Sequence, residues 1–179
     1  MAVTVIATPG APNANSFQTV AEIDLYYQGR VPAATRDEWL DADSEDKDAA
    51  AVMATNLMTT GISWTGYQTT VEQSLPWPRN SMWSRNGQNW IDSGVIPMEV
   101  KMAHAELSRV LLKADRLEES DIIRQGLIGM KAGPISMTFR DDQYTQPPVI
   151  PTYITDFLVP SWIESVYGTP TGMRDLLRS

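Results

Sequence analysis

The chain has 179 residues, a net charge of -8 and a pI near 4.6, with 42% apolar residues and no cysteine. That length suits one domain with enough apolar material for a core. Disulfides and thiolate metal sites are excluded, and the acidity argues against a broad phosphate-binding surface.

Residues 1–18 are rich in Ala, Pro, Asn and Thr and read as an N-terminal arm, with turn signals at Pro9-Gly10 and Pro12-Asn13. Within it, residues 3–6 suit either a short strand or a segment that orders against a neighbour. A helical core is expected over 19–121. Thr19 and Glu22 have the spacing of a capping box, Val20, Ile23 and Tyr27 follow at helical intervals, and Gly29 is a stop. A short helix is expected over 36–40, entered from Thr35. A longer one is expected over 43–60, with Asp43 or Ser44 as cap, Glu45 and Asp46 at the positive end of its dipole, and Gly61 closing it. Its apolar side is Ala50, Met53, Ala54, Leu57 and Met58, small enough for close helix packing.

Between this helix and the next lies Trp64-x-Gly66 and then Gln73-x-Leu75-x-Trp77-Pro78-Arg79. Pro76 and Pro78 forbid a helix around Trp77. Trp64 and Trp77 can each bury a large apolar face, and the Arg79 fork suits carboxylates or backbone carbonyls. Trp64, Gly66, Leu75, Trp77, Pro78 and Arg79 are therefore read as a rigid structural corner, with Trp64, Leu75, Trp77 and Leu107 buried together. A polar insert, 80–94, follows. Its Asn86-Gly87 pair signals a tight turn, and Trp83 and Trp90 flank that turn. Two readings stay open: a loop packed on itself, or a loop whose tryptophans bury against a partner.

Pro97 opens a long helix expected to reach Leu117, with Val100, Ala103, Leu107, Val110 and Leu111 as its stripe. The pattern then changes. Residues 122–146 read as a β-hairpin turning at Gly133-Pro134. Residues 147–179 read as an extended, proline-rich docking tail holding a short helix over 152–158. Its Ile150, Tyr153, Phe157, Leu158, Trp162 and Tyr167 are too apolar for water and are expected on a neighbouring chain. The fold class expected is mainly α: a small helix bundle with a short β-hairpin and that extended C-terminal segment.

Catalytic sets are missing from the sequence. His104 is the one histidine, placed inside the long helix, and reads as structural. The acidic run Asp41, Asp43, Glu45, Asp46 and Asp48 lacks the spacing and glycine of a calcium loop. Gly126, Gly129 and Gly133 lack the Lys-Ser/Thr ending of a P-loop. No enzyme, metal or cofactor is expected. The N-terminus lacks a basic-then-apolar signal pattern, and no stretch approaches the roughly 18 apolar residues that span a bilayer. A soluble intracellular protein with no membrane partner is expected.

Taken together, the capping box with Tyr26-Tyr27, Trp39, the corner motif, Ile96-Pro97-x-x-Val100, Glu106-Leu107, Gly133-Pro134-Ile135-Ser136 and Pro147-Pro148-x-x-Pro151 resemble the head–tail connector (adaptor) proteins of tailed bacteriophages. Some of these carry a label as primosomal-type, DnaT-like single-stranded-DNA-binding proteins. The resemblance covers roughly residues 15–160, leaving the 80–94 insert and residues 161–179 as departures. It implies a structural virion protein at the neck, present in the host cytoplasm during assembly. It implies a ring of about twelve subunits that docks on the portal, meets the next neck or tail protein and lines the exit channel for double-stranded DNA. The alternative is a single-stranded-nucleic-acid-binding protein of phage replication, using Trp83, Arg85 and Trp90 as a stacking surface.

Overall fold

The computed structural model describes residues 3–114, 116, 129–132, 135–138 and 148–167, with 129–132 and 135–138 described by their backbone alone. Helix α1 (Val20–Gln28) starts as its sequence dictates. The Thr19 hydroxyl accepts the Glu22 N–H at 3.2 Å, and the Glu22 carboxylate accepts the Thr19 N–H at 2.8 Å. Helix α2 (Ala33–Leu40) begins one turn earlier than expected, because Pro32 serves as its N-cap and the alanines that follow favour helix. Helix α3 (Ser44–Gly61) has Asp43 as N-cap without a side-chain capping bond, so the acidic residues there act on the helix dipole. Helix α4 (Met98–Leu111) takes Pro97 as its N-cap and stops short of the expected end; Leu117 lies outside the described residues.

Helices α3 and α4 pack along each other, and Ala51, Ala54, Ala103 and Ala105 are fully buried between and beside them. Small side chains on both helices permit that approach. Two apolar clusters flank the pair. One joins Ile23, Tyr27 and Trp39 of α1 and α2 to Ala50, Ala51 and Ala105. Tyr27 and Trp39 stack there at 5.8 Å between ring centroids. The larger cluster lies on the other side, where Phe17, Leu57, Met58, Val100 and Leu107 meet the tryptophan corner and the C-terminal segment.

Three two-stranded antiparallel sheets complete the described fold. Strand β1 (Ile62–Trp64) pairs with β6 (Ile163–Val166), β2 (Tyr67–Gln68) with β3 (Arg79–Asn80), and β4 (Gly129–Ala132) with β5 (Ile135–Thr138). The last pair lies within the hairpin expected over 122–146; its turn, residues 122–128 and residues 139–146 lie outside the described residues. The protein is thus mainly α with short β pairs.

Residues 3–17 and 148–167 differ from their expected state, while residues 147 and 168–179 of the expected tail lie outside the described residues. Residues 3–6 form no strand. The arm instead folds onto its own domain: the Asn15 side chain accepts from Ile6 N at 2.7 Å, Ser74 Oγ donates to the carbonyls of Ala11 and Ala14, and Phe17 is buried. At the other end, residues 148–167 are not an extended strip awaiting a neighbour. They form a short helix α5 (Thr152–Thr155), a 3-10 turn (Pro160–Trp162) and β6, and they place Ile150, Leu158 and Trp162 in the larger core. The prolines explain this outcome. Pro151 caps α5 and Pro160 opens the 3-10 turn, so both sit where a missing N–H costs nothing, and β6 contains no proline.

Trp77 makes an edge-to-face contact with Trp64 at 5.5 Å and a tilted one with Trp162 at 5.4 Å, and is fully buried. Trp77→Ala is expected to lower unfolding free energy by about 3–5 kcal/mol in urea titrations, and a loss under 1 kcal/mol would remove the corner from the core.

Candidate partner interface

The corner is built around Arg79. Its Nε donates to Thr65 O at 2.7 Å, Nη1 to Pro76 O at 2.9 Å, and Nη2 to Gly66 O at 2.7 Å and Trp64 O at 3.2 Å. Among the described residues no carboxylate pairs with it, so four backbone dipoles hold the cation. Burial alone pushes its pKa below the usual value. Gln73 finishes the turn by donating to Leu75 O and Pro78 O. Gly66 adopts φ +70, and a Cβ there would stand 2.5 Å from Asn80 O, so only glycine fits this turn between β1 and β2, against β3. Trp64, Leu75 and Trp77 are buried in one cluster with Leu107, and the Trp77-Pro78 bond is cis. The indole nitrogens of Trp64 and Trp77 are buried without a hydrogen-bond partner, so ring packing holds them in place. These residues form a scaffold rather than an exposed site.

The insert leaves this corner as a turned-back loop. Trp83 and Trp90 face each other as an isolated antiparallel bridge around Gly87, which takes φ +67. Their rings stack at 3.9 Å, yet they remain 43% and 59% exposed. The loop packs on itself and still leaves aromatic surface open, so it combines features of both sequence readings. It is anchored from below, where the Trp162 indole donates to Trp83 O at 2.7 Å. Arg85 of the same loop donates to Phe157 O and pairs with Glu99 at 3.6 Å.

The expected interface residues therefore divide. Trp83, Trp90, Tyr153 and Tyr167 are exposed and Phe157 is half-buried. Ile150, Leu158 and Trp162 are closed off in the chain's own core and have no face free for a partner. Period alone did not separate the two groups, because the sequence does not show that β6 pairs with β1.

Electrostatics narrow what the exposed surface can hold. Each lysine and arginine whose side chain is described is already engaged. Arg30 and Arg109 hold the fully buried Glu106, and Lys113 shares Glu38 with Arg109. Lys101 pairs with Glu22, Lys47 with Asp24, and Arg36 with Asp37. Arg116 donates to Pro148 O and Val149 O. Glu106 also accepts from the Tyr26 hydroxyl at 2.7 Å, and burial followed by that carboxylate pushes the Tyr26 pKa well up. This network was not anticipated, although the spacing of 103, 106, 107 and 110 on α4 would have placed Glu106 on the inner face.

His104 is fully buried, with Nδ1 3.2 Å from Gln18 Nε2 and Nε2 2.9 Å from both Thr55 Oγ1 and Ala51 O. It ties the N-terminal segment to α3 and α4, as a satisfied structural histidine. Among the described residues no acidic or histidine cluster could hold a metal ion, and no helix is long and apolar enough to cross a membrane.

The described chain is thus a mainly α fold with a buried tryptophan corner and an exposed aromatic loop. The chain belongs to the family described as "Putative DnaT-like ssDNA binding protein", whose model matches residues 1–173. That description names DNA binding and not the head–tail connectors the sequence resembles. No curated protein and no solved structure matches the chain.

Two stability predictions follow from these contacts. Arg79→Lys is expected to cost about 2–3 kcal/mol, because one ammonium cannot reach four carbonyls in a plane; chemical denaturation measures it. Burial holds the His104 pKa at about 4, below the ordinary 6.5. The unfolded chain takes up that proton first, so stability is complete above about pH 6.5 and falls as pH drops toward 4. Urea titrations across this window should show the decline, and the single imidazole resonance should not titrate above pH 5.

Proposed function

We propose that the protein is a structural head–tail adaptor of a tailed bacteriophage. In this reading it forms a ring at the virion neck, docks on the portal and joins it to the next neck or tail protein. Double-stranded DNA passes through the ring without specific binding, and the protein performs no catalysis and needs no cofactor. One observation carries the reading. The exposed aromatic loop sits on a chain of net charge -8 whose described cations are all bound to its own carboxylates and carbonyls. Such a surface favours apolar contact with protein over capture of phosphate. The sequence resemblance to connectors supports the same conclusion.

A second reading is single-stranded-nucleic-acid binding in phage replication. The family description favours it, and so do the open outer faces of Trp83 and Trp90, on which bases could stack beside Arg85.

The two separate in one set of measurements. The purified full-length chain is expected to form rings by negative-stain electron microscopy, to bind the portal of its own phage, and to leave a labelled oligo-dT unretarded at moderate salt. Tight oligo-dT binding that weakens with salt, without portal binding, would replace the adaptor reading with the second.

A further inference from the structure

The adaptor reading leaves open what chemistry its docking partner presents, and the loop face carries information on this. Its centre is the Trp83–Trp90 stack, and Arg85 of the same loop donates to the backbone carbonyl of Phe157. Tyr153, one helical turn before Phe157, is also exposed. The loop is held in position before any partner arrives, since Trp83 O is bound by the buried Trp162. Preorganisation of this kind lowers the ordering cost of docking.

Three carboxylates accompany this loop. Asp92 follows Trp90 by two residues, Asp156 precedes Phe157, and both are exposed; Glu99 lies beside Arg85. Arg85 is the cation of this loop, and it is already committed to Glu99 and Phe157 O. The exposed aromatic stack thus has carboxylates beside it in the chain and one against its Arg85.

We propose that this face docks an apolar segment flanked by lysine or arginine on a neighbouring neck component. Apolar residues of that segment would cover the outer faces of the tryptophans, and its cations would meet Asp92 and Asp156. The proposal rests on the adaptor reading. On this particular face a second copy fits poorly, because like would meet like: the same aromatic loop with the same neighbouring carboxylates. Nucleic acid fits poorly too, since its phosphates would face carboxylates.

The test uses the full chain with the purified portal and the purified next neck protein, measured by calorimetry at low and high salt. The wild type should bind one of them more weakly at high salt. Trp90→Ala should weaken binding about tenfold or more. Asp92→Lys with Asp156→Lys should weaken it about tenfold at low salt and flatten the salt dependence. Val71→Ala, at a residue 96% exposed, serves as the control and should bind as wild type. Thermal melts confirm that each variant folds.

Wild-type binding that is unaffected by the tryptophan and aspartate variants overturns the proposal while leaving the adaptor reading standing. Tighter binding after the charge reversal overturns it too, as does oligo-dT competing for the face. If the wild type binds neither component, the adaptor reading fails and this proposal fails with it.

Discussion

A single guanidinium holds the fold's least regular region in shape. Arg79 gathers the carbonyls of Trp64, Thr65, Gly66 and Pro76, which come from two separate stretches of chain. Those groups lie outside any helix, and left unpaired in the interior each would carry a desolvation cost of about 1–3 kcal/mol. The planar fork satisfies them together and fixes the angle at which the chain leaves β1. The tryptophan packing follows from that angle. Trp64 and Trp77 meet edge to face, and Trp162 closes the cluster from the C-terminal side. The same segment is tied to the corner by the backbone, since Thr65 N donates to Trp162 O at 2.9 Å and Thr65 Oγ1 to Ser161 O at 2.9 Å.

Charge is organised on the same principle of internal satisfaction. Glu106 is buried at the junction of α1 and α4 and is held by Arg30, Arg109 and the Tyr26 hydroxyl. Removing any one of these partners would leave a buried charge short of compensation, so the cluster specifies how the helices are arranged more than it adds net stability. Glu38 extends the cluster to α2 through Arg109 and Lys113. With the described basic side chains committed in this way, the chain's negative balance is what the solvent meets.

How much the sequence disclosed depended on whether a feature was local. The Thr19–Glu22 cap, the Gly61 stop and the buried side of α3 are set by neighbours a few residues away, and they were legible. The corner was legible too, because prolines and glycine restrict the backbone on the spot. The C-terminal segment was misjudged for the opposite reason. Ile150, Leu158 and Trp162 find their places on β1, α3 and α4, and composition alone cannot say whether such a surface belongs to the same chain or another. The N-terminal segment was ambiguous in the same way. Its order depends on the Asn15 side chain bonding back to residue 6, and on Gln18 reaching Lys101 O at 2.7 Å and the ring of His104. The loop tryptophans were recognised, but their mutual stacking needed the bridge that only the structure gives.

The pairing of β1 with β6 also determines when the protein can finish folding. Ser63 Oγ donates to Glu164 across 101 residues of chain, and Trp162 reaches the aromatic cluster only from that end. Contacts this distant in sequence carry a large loop-closure cost and form late. During synthesis α1 to α4 emerge before residues 150–166, which cover one side of their core. Partly made chains therefore expose that apolar side, the kind of surface that favours aggregation. The larger core is complete only once residues 150–166 have joined it.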